Sequence, residues 1–127
     1  MTKFLCVCLA GAIGTGLRYG IGVWAGRAIG TGFPYGTLIV NVLGCFLIAA
    51  IAHIALSTTL VSETMRVTLM TGFVGGLTTY SAFNLETTRL VQERAWALGM
   101  LYVCLTLFVS FGAGLLGFAV ARRLVGP

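Results

Sequence analysis

The stretch that decides the fold is "GFVGGLTTYSAFNLE", which runs from Gly72 to Glu86 in an otherwise apolar chain. It combines three glycines with a run of hydroxyl side chains and then places Asn84 and Glu86 where lipid is expected. Threonine and serine side chains compete with the helix for backbone hydrogen bonds, which disfavours an uninterrupted helix here. A break inside a membrane frees carbonyl groups, and these are tolerated only where they are buried in protein or line a cavity. We therefore predict that the glycines and threonines of this stretch break the helix at this point.

The composition around this stretch is that of a membrane protein. Of 127 residues, 58% are hydrophobic and only 9% are charged, whereas soluble domains carry about 25% charged residues. The basic residues are scattered singly and form no patch with interleaved aromatics, so a nucleic-acid partner is not expected. The four cysteines lie in apolar runs without metal-site spacing and are interpreted as small buried hydrophobes. The composition thus predicts a multi-pass protein of the cell (inner) membrane, with lipid as its surroundings.

Apolar windows of about 20 residues divide the chain into four candidate membrane helices. They form a single domain over residues 1–127, with spans at about 4–26, 37–56, 64–90 and 96–120. The opening stretch falls inside the third span. The predicted fold class is therefore an all-α membrane protein of four transmembrane helices, the third of which is broken.

The distribution of basic residues bears on the orientation of the chain in the membrane. Four spans put both termini and the second loop on one side. The basic residues on that side are Lys3, Arg66, Arg122 and Arg123, and those on the opposite side are Arg27, Arg89 and Arg94. The near-equal number of basic residues on the two sides predicts insertion in both directions. A chain inserted both ways can pair with itself antiparallel. Glycines at close-packing spacings, such as Gly22 with Gly26 and the group Gly112, Gly114 and Gly117, also favour an oligomer.

Two polar side chains interrupt the first and second spans. Arg18 lies within the first span, where an arginine costs about 2.5–3.5 kcal/mol on insertion scales. It either snorkels to the interface or places a positive charge in a vestibule that attracts anions. Asn41, in the second span, carries two amide donors that need acceptors. It either makes an ordinary interhelical hydrogen bond or lines a polar path.

Further polar and aromatic positions follow the expected break. Tyr80, Phe83 and Glu86 are spaced three residues apart and share a helical face. In the fourth span, Thr106 and Ser110 are one turn apart and form a hydroxyl stripe, unless each bonds to its own preceding turn. Amide and hydroxyl donors with the positive edges of aromatic rings suit an anion.

The expected break also suggests a cation site, whereas a catalytic site is poorly supported. Carbonyl groups freed by a broken helix are good ligands for a hard cation such as Na⁺. The sequence shows no carboxylate pair, no metal-ligand cluster and no nucleophile with a base. We therefore expect a protein that is not an enzyme.

Three motifs resemble the Fluc (CrcB) family of fluoride channels. They are "GxxGxxxRY" at Gly11–Tyr19, "GTLIVNVLG" at Gly36–Gly44 and "GFVGGLTTYSAF" at Gly72–Phe83. The likeness extends over essentially the whole chain in length, number of spans and order of motifs. It implies a passive, electrogenic and fluoride-selective channel that lowers cytoplasmic fluoride. It further implies an antiparallel dual-topology homodimer with two narrow pores and a structural Na⁺ at the dimer axis.

Carried onto this sequence, the resemblance implies a role for nine residues. The Na⁺ would be held by the backbone carbonyls of Gly75 and Thr78. The fluoride pore would be lined by Asn41, Tyr80, Phe83, Thr106 and Ser110. Arg18 would lie in the vestibule and Glu86 near the far end of the aromatic pair.

The sequence departs from the family pattern at two positions. Members typically read TTFSTF, whereas this chain has Tyr80 and Ala82. Tyrosine keeps the electropositive ring edge and adds a hydroxyl donor, while Ala82 removes a hydroxyl from the region.

The alternative function is a small four-helix drug or cation exporter driven by protons. Such an exporter needs a carboxylate inside the membrane that exchanges protons for cations. Glu86 is the candidate for that role, although it lies late in its span.

Overall fold

The computed structural model describes residues 1–126, and within that range the chain is helical with no strand. In chain order the elements are α1 (Thr2–Ala28), α2 (Tyr35–Ser57), α3 (Glu63–Val67), a π-helical segment (Thr68–Val74), α4 (Gly75–Leu77), α5 (Tyr80–Gln92) and α6 (Trp96–Val125). Of these, α1, α2 and α6 are long and apolar enough to cross a membrane. The prediction of an all-α membrane protein is therefore confirmed.

The third predicted span, about residues 64–90, is interrupted at Thr78 and Thr79, as the opening stretch predicts. Thr78 and Thr79 are both extended, with φ and ψ of −83° and 157° and of −154° and 118°. The Thr79 hydroxyl then caps α5 by accepting a hydrogen bond from the Ala82 amide at 3.2 Å. Gly75 and Gly76 remain helical within α4. The threonines therefore make the break, because the Thr79 side chain satisfies an amide that a continuous helix would direct to a carbonyl.

The glycines of the third span instead let its backbone lie directly against α1. A Cβ atom at Gly72 would meet the Val7 carbonyl oxygen at 2.8 Å, and one at Gly76 would overlap the Gly11 carbonyl oxygen. From α1, a Cβ at Gly14 would overlap the third span in the same way. Small residues permit such close approach of helices where the hydrophobic effect supplies no drive between them. The sequence periodicity did not predict that Thr68–Val74 would take the wider π-helical form.

Other glycines also pack within the chain. A Cβ at Gly36 would lie 2.7 Å from the Gly22 Cα, and one at Gly117 would overlap the Phe46 backbone. Gly112 has open space around it. Gly22 and Gly117 therefore serve contacts inside one chain, in addition to any role in an oligomer.

Two features organise the chain outside the membrane helices. Lys3 Nζ lies 2.9 Å from a carboxylate oxygen of Glu63, joining the start of α1 to the start of α3. The hydrogen bond from Lys3 lowers the pKa of Glu63. At the other end, Arg94 takes a positive φ of 60° in the turn between α5 and α6. The hydrogen bond from the Ala95 amide to the Leu90 carbonyl, 2.8 Å long, closes this turn.

Candidate functional site

A cavity of about 390 Å³ lies between α2, the break and α6. We call it the central cavity. Its lining residues are Asn41, Gly44, Cys45, Ile48, Val74, Thr78, Thr79, Tyr80, Phe83, Thr106, Leu107 and Ser110. The structure therefore brings together all five residues that the resemblance assigns to the pore.

Asn41 joins α2 to the break through two hydrogen bonds. Its Oδ1 accepts from the Thr79 amide at 2.8 Å, and its Nδ2 donates to the Thr79 carbonyl at 3.0 Å. Both residues are buried, so these bonds satisfy backbone groups that the extended conformation leaves without a helical partner. Asn41 thus holds the break in place and retains one N–H of its amide. The sequence pointed to Asn41 as a donor but could not show that the backbone uses most of its capacity.

The two aromatic residues of the opening stretch occupy different depths of the central cavity. Phe83 is buried, with 8% of its surface exposed, whereas Tyr80 is 76% exposed. Their ring centroids are 5.6 Å apart and the ring planes are tilted by 54°. A second ring meets Phe83 from α6, where Tyr102 lies at 5.2 Å in an edge contact. The rings form a row from the outer edge of the cavity into the protein.

Thr106 and Ser110 contribute hydroxyl groups that have no partner. Both side chains are buried, and neither Thr106 Oγ1 nor Ser110 Oγ makes a hydrogen bond within residues 1–126. Bonding to the preceding helical turn, which the sequence left open, therefore does not occur. A buried polar group without a partner costs about 1–3 kcal/mol. Both line the central cavity, where an anion or a water would accept a hydrogen bond from each hydroxyl.

Sequence reasoning missed Tyr102, a third hydroxyl residue at the same four-residue spacing on α6. We call Tyr102, Thr106 and Ser110 the hydroxyl row. Tyr102 is fully buried, one turn before Thr106 in α6. The four-residue spacing of Tyr102, Thr106 and Ser110 is visible in the sequence and could have identified it.

The hydroxyl of Tyr102 leads to Glu86. It donates to Glu86 Oε2 at 2.7 Å, while Thr37 Oγ1 donates to Oε1 at 2.8 Å. Glu86 also lines a separate cavity of about 410 Å³ between α1, α2 and α5, together with Arg89 and Glu93. We call this the Glu86 cavity. Arg18 is half-buried and lines neither the central cavity nor the Glu86 cavity.

The backbone of the break fits the ligand set expected for Na⁺. In a continuous helix the Thr79 and Ala82 amides would bond the carbonyls of Gly75 and Thr78. Here the Thr79 amide bonds Asn41 and the Ala82 amide bonds the Thr79 hydroxyl. The helical bonds to these two carbonyls are therefore replaced, and Gly75 is exposed. Among residues 1–126 no group of three acidic, histidine or cysteine side chains could hold a metal.

Comparison with known proteins identifies the family. The family described as "CrcB-like protein, Camphor Resistance (CrcB)" matches residues 5–118. The "Fluoride-specific ion channel FluC" of Sorangium cellulosum (strain So ce56) is 50% identical over 125 residues, covering 98% of each chain. Proteins of the same description from Rhizobium etli (strain CFN 42) and Anaeromyxobacter dehalogenans (strain 2CP-1) are each 42% identical. The alignments cover 98% and 99% of this chain and 100% of those two relatives.

The match of the family to most of the chain agrees with the site: the break, the aromatic pair and the hydroxyl row all lie within residues 5–118. The chain belongs to the CrcB family.

Proposed function

We propose that this protein is a fluoride-selective ion channel of the inner membrane, which passively exports fluoride and so lowers its cytoplasmic concentration. The observation that carries the proposal is the pair of buried, partnerless hydroxyls of Thr106 and Ser110 in the cavity that Phe83 lines. Full-length relatives described as fluoride-specific ion channels support it.

The chemistry of the central cavity suits a small anion. Fluoride is strongly hydrated, so a narrow pore must replace water with donors at close range. Such contacts can come from the two hydroxyls, the remaining N–H of Asn41 and the positive edge of the Phe83 ring. A chloride ion is larger and would need more space at the same donors.

In this proposal the ion passes from the hydroxyls of Thr106 and Ser110 towards Glu86. Tyr102 lies one turn from Thr106 and contacts both Phe83 and Glu86. Because the Tyr102 and Thr37 hydroxyls already donate to Glu86, its carboxylate fixes their orientation. An exchange of protons for cations at Glu86, as the alternative exporter requires, has no support from the relatives, which are described as channels.

The proposed assembly is an antiparallel, dual-topology homodimer. The near-equal distribution of Lys and Arg supports insertion in both orientations. Gly75 and Tyr80 are exposed on either side of the break, and Tyr80 lines the central cavity. A second copy packed against the break would cover both. The carbonyls of Gly75 and Thr78 would then hold a Na⁺ between the copies, where the ion would offset the partial negative charges of the break.

Fluoride efflux from proteoliposomes tests the channel. Vesicles loaded with potassium fluoride are made permeable to K⁺ by adding valinomycin, and the released fluoride is measured with an electrode. We expect efflux to begin only after valinomycin is added, because the transport is electrogenic, and parallel vesicles loaded with chloride to retain it. Wild-type protein that releases no fluoride, or that releases chloride equally well, would refute the proposal.

The assembly has its own test. Reporter fusions at the C-terminus should show both orientations of the chain in the inner membrane. Removal of Na⁺ should weaken the dimer during size-exclusion chromatography. A single orientation, or a dimer whose stability does not depend on Na⁺, would contradict the proposed assembly. Neither result would contradict the proposed channel activity.

A further inference from the structure

Three aromatic rings lie between the central cavity and the Glu86 cavity. Tyr102 is fully buried and lines neither cavity. Phe83, which lines the central cavity, has its ring centroid 5.2 Å from that of Tyr102. Phe33, which lines the Glu86 cavity, contacts Tyr102 edge to face at 5.4 Å. The two cavities share no lining residue, so the three rings lie where these spaces would have to join.

Of the three rings, only that of Phe33 belongs to a loop. Phe83 is part of α5 and Tyr102 is part of α6. The hydroxyl of Tyr102 is also held by its hydrogen bond to Glu86, 2.7 Å long. Phe33 is partly buried and lies in the connection between α1 and α2, which contains Gly30 at a φ of 122°. Phe33 is therefore the ring with the fewest constraints from helical backbone.

The Glu86 cavity offers space into which the Phe33 ring can move. Its volume is about 410 Å³. Tyr35 is exposed, lines the same cavity and has its ring 4.9 Å from that of Phe33. A Phe33 ring displaced from Tyr102 can therefore keep an aromatic neighbour, which lowers the cost of the movement.

We infer that Phe33 closes the path between the central cavity and the Glu86 cavity, and that its ring moves into the Glu86 cavity when an ion passes. The inference rests on the proposed channel function. While Phe33 lies against Tyr102, it covers the tyrosine from the Glu86 cavity, and the departure of this ring limits the rate of passage. Thr106 and Ser110 line the central cavity, which Phe33 does not. Phe33 therefore sets how fast the ion passes, and the hydroxyls set which ion passes.

Single-channel fluoride conductance in planar bilayers tests this role, because a current through one channel does not depend on the folded fraction of the protein. Phe33 is replaced in turn by leucine, valine and alanine. We expect conductance to rise as the side chain shortens. In Phe33→Ala it should reach about two- to tenfold that of the wild type, the factor that corresponds to the loss of one edge-to-face ring contact. Chloride should remain excluded in every variant, since the hydroxyls of the central cavity are unchanged.

Thr31→Ala is the matched control. Thr31 lies in the same loop and lines the same cavity, but it has no ring to place against Tyr102. This variant should conduct as the wild type does. Phe33→Leu keeps most of the apolar packing, so the series can be read even if Phe33→Ala does not fold.

The inference is overturned if conductance stays level or falls along the series from phenylalanine to the smaller side chains. It is also overturned if Thr31→Ala raises conductance as much as the Phe33 variants do, or if those variants conduct chloride. Wild-type channels that carry no fluoride would instead refute the proposed function.

Discussion

Substitution of Gly44 by alanine is expected to disrupt the break without changing any polar group. A Cβ atom at Gly44 would overlap Thr78 Cγ2 and lie 3.6 Å from Val74 Cγ1. Thr78 cannot easily turn away, because its hydroxyl donates to the Val74 carbonyl at 3.0 Å. The added methyl therefore pushes α2 away from the break by about 1 Å, since packed interiors leave no space to absorb it.

The displacement falls on the contact between Asn41 and Thr79, three residues before Gly44 on α2. Its two hydrogen bonds are 2.8 and 3.0 Å long, and an added ångström takes both beyond the limit of about 3.5 Å. Each buried backbone group left without a partner costs about 1–3 kcal/mol. We therefore expect Gly44→Ala to lower the stability of the folded protein by about 2–5 kcal/mol. Fluoride efflux from proteoliposomes should fall by about tenfold or more.

A second substitution makes the explanation specific. Thr78→Ser removes Cγ2 but keeps the hydroxyl that bonds Val74, so the double variant Gly44→Ala with Thr78→Ser should regain most of the efflux and thermal stability. Gly16→Ala, where the added Cβ meets no atom within 4 Å, serves as the control and should behave as the wild type. Efflux is measured with the fluoride electrode, and stability by thermal unfolding in detergent. Normal efflux from Gly44→Ala, or a double variant no better than the single one, would refute this reasoning.

Three further variants have expected outcomes. Phe83→Ile removes the buried ring edge while keeping an apolar side chain, so fluoride efflux should fall strongly while the elution volume on size-exclusion chromatography stays that of the wild type; unchanged efflux would remove the ring from the proposed ion path. Replacing Thr106 with valine and Ser110 with alanine should abolish efflux yet leave thermal stability equal or higher, because neither hydroxyl has a hydrogen-bond partner within residues 1–126. A protein that loses stability but keeps its fluoride efflux would show a structural role instead. Arg94→Gly should raise stability by about 0.5–1 kcal/mol, because Arg94 adopts a φ of 60° that glycine takes without strain. Arg89→Gly, at an exposed position in the last turn of α5, is the control. A lower unfolding temperature for Arg94→Gly than for Arg89→Gly would contradict the prediction.

Sequence alone determined the features that depend on local chemistry. The density of apolar residues predicted the membrane helices, because a span needs about 20 of them wherever its neighbours lie. The hydroxyl residues of the opening stretch predicted the broken helix, because Thr79 competes with the backbone within a single turn. The spacing of Thr106 and Ser110 placed them on one face of α6 in the same way.

Only the tertiary structure decided which residues of different helices contact one another. Asn41 and Thr79 are 38 residues apart, so no periodicity shows that the amide bonds both backbone groups of the break. The glycines looked like helix breakers, but Gly76 stays helical because it packs on the Gly11 backbone of α1. The link from Tyr102 to Glu86 likewise needs α5 and α6 side by side.

One physical reason separates what the sequence determined from what the tertiary structure decided. Helix propensity, capping and hydrophobic length act within a few residues and can be read directly from the chain. The partner of a buried polar group is chosen by whatever the fold places within about 3 Å of it. The opening stretch therefore determined that the third span must break, and the packing of α1, α2 and α6 around it decided which side chains hold the break and which line the central cavity.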